Sequence, residues 1–408
     1  MISGADTAFI LISAALVLLM TPGLAIFYAG MVRGKNVLAT ILQSFIMISV
    51  ISIEWVYLGY SMSFGPDLGG LIGDLSFFSL NGVTSAPSEF YATTIPQNVF
   101  MIYQCMFAII TPALITGAFA ERMRFGPFLI FGLAWTILVY NPVCHWIWGN
   151  GGWLAARGVL DFAGGLVVHL TSGMAALASV IVLGPRKGLG RESFMPHSLP
   201  MTLLGTGLLW FGWFGFNGGS ALAANGVAAT AFISTHLAGM AGMGMWLLVE
   251  WVHRKKPTTL GAASGAIAGL ATVTPGSGFI TPHSAIIIGI IAGFSCYLAV
   301  NMKNRIGFDD SLDVVGIHGL GGIIGTICLG LFASKSVNPN GADGLFAGNA
   351  AFLATQIFGV AVVGAYAFLV SLILLKIIDL TCGGLRVSRE NEILGLDQSV
   401  HTETAYNM

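Results

Sequence analysis

Uncharged apolar runs recur from residue 8 to residue 380, and each is long enough to cross a bilayer as a helix. Lipid offers no partner for backbone N–H and C=O groups, so a chain of this pattern is forced into helices that satisfy their own backbone. Eleven runs are predicted to span, at about 8–32, 38–64, 97–120, 126–147, 162–184, 198–218, 226–252, 259–278, 282–301, 311–333 and 350–380. Several exceed the roughly 20 residues a crossing requires, so those helices tilt or protrude. The chain is 55% hydrophobic and only 9% charged, against about 25% charged residues in ordinary soluble domains. The expected fold class is an all-α polytopic membrane protein.

Basic residues set the expected orientation. With the N-terminus outside, the inner loops and tail hold fifteen of the seventeen Lys and Arg residues, and only Arg157 and Lys335 fall outside. That asymmetry predicts N-out, C-in, and it requires an odd number of spans. Met1–Thr7 lacks the basic start of a secretory signal, so no cleaved leader is expected. A net charge of −1 argues against a nucleic-acid partner. The five cysteines are scattered, with neither disulfide-framework nor metal spacing. There is no HExxH pair, nucleophile elbow or phosphate loop, so an enzyme, a metal site and a cofactor are all unexpected.

Two histidines stand out inside glycine-rich apolar runs, each eight residues after an aspartate: Asp161-Phe-Ala-Gly-Gly-Leu-Val-Val-His169 and Asp310-Ser-Leu-Asp-Val-Val-Gly-Ile-His318. An ionisable residue inside a span is functional by default. The fifth span runs inward and the tenth outward, and eight helical residues rise about 12 Å. The two imidazoles are therefore expected near mid-membrane, approached from opposite faces. Such mirrored units predict an inverted repeat, residues 8–184 and 198–333, followed by helix 11 at 350–380 and a cytoplasmic tail at 381–408. Thr111-Pro112 against Thr274-Pro275, and Phe27-Tyr-Ala-Gly against Phe216-Asn-Gly-Gly, echo the same repeat. Glycines at four-residue spacing, such as Gly261, Gly265 and Gly269, predict close helix packing.

At these residues the chain resembles the ammonium transporter (Amt/Rh) family, on its Amt side. The Asp161–His169 run matches the family signature. It is joined by Phe27-Tyr-Ala-Gly-Met-Val-Arg-Gly-Lys-Asn36, Gly117-Ala-Phe-Ala-Glu-Arg122, Gly212-Trp-Phe-Gly-Phe-Asn217, Gly265-Ala-Ile-Ala-Gly269, Val273-Thr-Pro275 and Gly316-Ile-His-Gly319. Gly384-Leu-Arg386 and Glu392-Ile-Leu-Gly-Leu-Asp397 resemble the family's inner tail. The resemblance implies a homotrimer in the cell membrane with one narrow pore per subunit. It implies an outer recruitment site at Phe107, Trp148 and Ser220, with Phe107 as its floor. Phe216 corresponds to the second gating phenyl, and His169 and His318 to the paired pore histidines. Asp161 matches the acidic vestibule residue, and Trp213 and Thr274 match residues near the recruitment site and upper pore. It also implies that a trimeric PII-type signalling protein can plug the inner exit.

Ammonium chemistry makes this set coherent. The ion is a small cation with four N–H donors, which an aromatic cage attracts by about 0.5–2 kcal/mol and a serine oxygen can accept. A bare ion in an apolar tube costs many kcal/mol, so the expected route is recruitment, deprotonation near the phenyl gate, and passage of ammonia past the histidines. A neutral ammonia channel and an ammonium sensor with little conduction are the competing readings. Blander roles also exist: the histidine pair could stiffen the core, Phe107 and Phe216 could be ordinary packing, and Trp148 an interfacial anchor. Asp161 precedes a helix, and capping is preferred over direct ion ligation. Glu54, in Ser-Ile-Glu-Trp-Val, departs from the family pattern; a carboxyl there must be protonated, paired, or turned to a cavity or subunit interface. A structural hydrogen bond at the interface is the expected role.

Overall fold

The computed structural model describes residues 1–406. In chain order its long apolar helices are α1 (Gly4–Met31), α2 (Gly34–Phe64), α3 (Gln97–Ala118), α4 (Phe125–Ala156), α5 (Gly165–Leu183), α6 (Leu199–Gly218), α7 (Gly226–Arg254), α8 (Thr259–Val273), α9 (Pro282–Lys303), α10 (Val315–Phe332) and α11 (Ala350–Thr381). Among the described residues, ten of these are long and apolar enough to cross a membrane, and α8 is the shorter exception.

The expected eighth span, 259–278, is the one the structure cuts short. Fifteen helical residues rise only about 22 Å, against a hydrocarbon core of about 30 Å. Pro275 supplies no N–H to continue the helix, and residues 274–279 form turns instead. The turn is used: the Pro275 carbonyl accepts the Phe162 N–H at 3.0 Å and so anchors the approach to α5.

The starts of α5 and α10 also differ from expectation. The helices begin at Gly165 and Val315, so His169 and His318 lie in their first turns, not two turns in. Both first turns are π-helical, Gly165–Leu170 and Val315–Gly319. The eight-residue rise from aspartate to histidine is replaced by a bend in which each aspartate folds back onto its helix start. Asp310 Oδ2 accepts the Val315 N–H at 2.7 Å.

α5 and α10 enter the bundle from opposite faces and cross at bare backbone. A Cβ on Gly173 would stand 2.1 Å from Gly319 Cα, and one on Gly322 would stand 2.7 Å from the Gly165 carbonyl oxygen. Only glycine admits that approach, which brings the first turns of the two helices face to face. α3 is enclosed on nearly all sides, whereas α11 turns most of its surface outward.

The N-terminus and the tail lie on opposite faces. On one face the Ser3 N–H donates to Thr94 O at 2.7 Å, and Asp6 Oδ1 accepts the Ala224 N–H at 2.9 Å. On the other, Arg186 forks onto Asp309 (Nη2 to Oδ1, 2.8 Å) and reaches Glu121 at 3.2 Å. Arg122 donates to Asp309 O at 2.8 Å. The tail packs against this cluster through two short helices, α12 (Arg389–Leu394) and α13 (Leu396–His401). Arg124 donates to the carbonyls of Gly383 and Gly384 at 2.8 and 2.9 Å. Arg386 pairs with Glu392 at 2.8 Å, and Asp397 caps α2 by accepting the Leu38 and Ala39 N–H groups at 3.1 and 2.8 Å. Several arginines that carry the charge asymmetry therefore also clamp the tail.

Candidate functional site

A cavity of about 400 Å³ opens on the face opposite the tail, with Phe107, Trp148, Asp161 and Ser220 in its lining. Trp148 ends the main run of α4, and its indole N–H donates to Asp161 O at 2.7 Å. Asp161 is buried, with Oδ1 accepting the Gly164 and Gly165 N–H groups at 2.8 and 2.7 Å. Oδ2 accepts those of Leu166 and Val167 at 2.7 and 3.0 Å. Four accepted bonds use the lone pairs of both oxygens, so the carboxylate is occupied by the helix start. Gly164, at φ +118°, supplies the left-handed turn that folds the chain onto it.

Ser220 lies just past the end of α6, whose last turn, Phe214–Gly218, is π-helical. Asn217 pins that end to α7 by donating to Thr235 Oγ1 at 2.9 Å. The Ser220 hydroxyl donates to Phe216 O at 2.8 Å. Tyr103, fully buried, donates to the Gly215 and Phe216 carbonyls at 3.0 and 2.9 Å, with its oxygen 3.2 Å from Ser220 Oγ. With its own proton turned to the helix end, the serine oxygen keeps a lone pair to accept with. Sequence reasoning missed Tyr103; its place four residues before Phe107, on the same helix face, was the available signal.

Phe107 lines this cavity and packs against Phe216. Their ring centroids are 4.3 Å apart at 33°, and Phe107 meets Trp148 edge-on at 6.0 Å and 87°. Directly beyond lies a second cavity of about 10 Å³, lined by Phe216, Trp213, His169, His318 and apolar side chains including Leu24 and Ile110. That is the room of about one water molecule.

The histidines face each other in this narrow space, Nδ1 to Nδ1 at 3.2 Å, with ring centroids 5.2 Å apart. His169 Nε2 has no partner among the described residues. Trp213 stacks on His169 at 5.6 Å and donates its N–H to Thr274 Oγ1 at 2.9 Å. Thr274 in turn donates to Leu270 O at 2.8 Å. Thr274 lines neither cavity and acts on the site through Trp213.

Glu54 is apart from this set. It is buried within the chain, where the expectation placed it at a subunit interface, and Oε1 accepts from Asn141 Nδ2 of α4 at 2.8 Å.

The arrangement is an aromatic and hydroxyl-lined cup, a pair of closely packed, tilted phenyl rings, and an apolar slot carrying two imidazoles. A hydrated ion cannot enter the slot whole, whereas a single molecule the size of water fits.

The chain is similar to known proteins in sequence and in fold. The model of the Ammonium Transporter Family matches residues 8–406. The chain is 52% identical to the ammonium transporter of Bacillus subtilis (strain 168), over 98% of each protein. The crystal structure of Saccharomyces cerevisiae Mep2 superposes with a TM-score of 0.89 at 36% identity, covering 95% of this chain and 88% of that one. A structure titled Sensor Amt Protein superposes with a TM-score of 0.89 at 29% identity, covering 97% and 98%.

Proposed function

This chain belongs to the ammonium transporter family, and from that premise we propose that it recruits ammonium in the outer cup, deprotonates it at the phenyl pair, and passes ammonia through the histidine slot. The observation that carries this reading is the Phe107–Phe216 ring pair, 4.3 Å apart, between an acceptor-bearing aromatic cup and a slot of about 10 Å³. The cation is held by the faces of Phe107 and Trp148 and by the Ser220 oxygen. Stripping its water is opposed by the slot, because burying an unpaired charge costs several kcal/mol. Loss of a proton removes that cost. The imidazole pair offers a route for the proton through its shared Nδ1 contact. Asp161 shapes the cup by capping α5, and Trp213 and Thr274 hold the His169 ring in place.

The positive-inside distribution supports placing the cup outside and the tail in the cytoplasm. On the family resemblance, the protein works as a homotrimer in the cytoplasmic membrane, and its docked tail offers a face to a PII-type signalling protein.

Reconstituted protein on a solid-supported membrane tests the reading. An ammonium pulse should give a sustained current, absent with potassium, whose decay shortens as protein per vesicle increases. A brief transient independent of protein density would instead mean binding without net charge movement. The likeness to a sensor Amt structure keeps that second reading in view, and an ammonia-driven change of vesicle pH would separate a neutral channel from a sensor.

A further inference from the structure

Glu54 sits in the middle of α2 and is only 4% exposed. Its contact with Asn141 is incomplete in a telling way. Oε1 accepts the amide N–H at 2.8 Å, but among the described residues Oε2 has no partner, and neither has Oδ1 of Asn141. Two buried acceptors left empty at one contact are costly, since each has surrendered its water. No Lys, Arg or His among the described residues stands within ion-pair reach of Glu54. The titratable groups that face it are Cys105 of α3 and Tyr140 of α4, neither of them a cation.

One proton satisfies both empty atoms. A carboxylic acid donates through one oxygen and accepts through the other, and a primary amide is likewise donor and acceptor. Set face to face, they form a ring of two hydrogen bonds, the observed Nδ2–H to Oε1 and a second from Oε2–H to Oδ1. We propose that Glu54 is carried as the neutral acid and forms this doubly hydrogen-bonded acid–amide pair with Asn141, clamping α2 to α4.

The backbone is built around the pair. A π turn, Trp55–Gly59, follows Glu54, and another, Thr136–Tyr140, precedes Asn141. Such turns shift a side chain out of helical register. Gly59 leaves the carboxyl its space: a Cβ there would stand 2.6 Å from Oε2 and 3.0 Å from Oε1. Asn141 lies two helical turns before Trp148 on α4, so the clamp is a positioning device for the helix that carries the cup's tryptophan. It rests on this pair's own geometry and holds whether the protein conducts or senses.

Infrared spectroscopy of the reconstituted full-length protein tests it. At about pH 7–8, where ordinary carboxylates are ionised and Asp310 has largely lost its proton, the wild type should show a protonated-carboxyl C=O band sensitive to deuterium. Glu54→Gln should remove the band yet keep the thermal midpoint, because an amide pair makes the same two bonds. Glu54→Ala and Asn141→Ala should lower the midpoint by several degrees. If Glu54→Gln does not fold, Asn141→Val gives the assignment, since losing the amide should shift the band. Absence of the band at neutral pH, no response of the band to any of these variants, or loss of stability in Glu54→Gln equal to that in Glu54→Ala would overturn the proposal.

Discussion

The Nδ1 atoms of His169 and His318 stand 3.2 Å apart, within reach of one shared hydrogen bond. A single proton between two nitrogens makes one ring the donor and the other the acceptor. The neutral pair is therefore asymmetric, one ring protonated on Nδ1 and the other on Nε2; a proton entering at the free Nε2, transfer of the shared proton and loss of the far Nε2 proton together exchange the two tautomers. Replacing either ring by an apolar side chain removes this exchange. His318→Leu should cut the ammonium-driven current by roughly 10²-fold, the lower end of general acid–base contributions, while the protein still assembles. Currents from proteoliposomes at matched protein density measure it; an unchanged, still selective current would remove the relay from the mechanism.

Trp148 contributes a ring face to the cup and a hydrogen bond to Asp161 O. Trp148→Leu should weaken ammonium recruitment by about 2- to 30-fold in half-saturating concentration, the equivalent of about 0.5–2 kcal/mol of cation–π attraction. The maximal current should change less than the half-saturation. A concentration series of ammonium pulses reads both.

Asp161 accepts four backbone N–H groups. Asp161→Ala would orphan all four in a buried place, and hydrogen bonds to a charged group contribute about 1.5–3 kcal/mol each. Asp161→Asn can serve the Gly164 and Gly165 pair but turns an NH₂ group toward the other two donors. Thermal unfolding in detergent should rank the variants wild type, Asn, Ala, with Ala more than about 4 kcal/mol below wild type. An alanine variant as stable as wild type would show that the cap is dispensable.

Asp310, on the tail face just before α10, is pushed up to about 6 by burial, against an ordinary value of 3.8, with Lys303 working the other way. The folded state therefore binds the proton more readily between those values. Its contribution to stability is fully present below about 4 and declines as pH rises through about 6. Among the described residues Oδ1 lacks a partner while Oδ2 caps Val315, so an amide fits the position. Asp310→Asn should raise stability at pH 8 by an amount of the order of 3 kcal/mol and leave it unchanged near pH 4. Melting curves at the two pH values check the sign.

Much of this molecule was legible in its residues. Hydropathy located each crossing segment, because lipid leaves the backbone no alternative to the helix. The mirrored aspartate–histidine units pointed to the candidate site, because an ionisable group in a span is rare enough to stand out. The end of α8 was not legible, since the helix stops before Pro275 whereas Pro112, in the matching Thr-Pro pair, lies inside α3. The starts of α5 and α10 were missed for a related reason: the Asp161 and Asp310 side chains replace helical bonds with bent caps, which spacing alone does not reveal.

What sequence alone determined is the class of molecule, its expected orientation and the residue types of its site, since these depend on composition and order along one strand of chain. Only the tertiary structure decided which atoms meet. Backbone contact at Gly173 and Gly319 sets the distance between the histidines, and the Tyr103 hydroxyl joins Ser220 and Phe216 at the end of α6. Glu54 found Asn141 across 87 residues. Such contacts are matters of a few tenths of an ångström between helices far apart in sequence, and no local pattern encodes them.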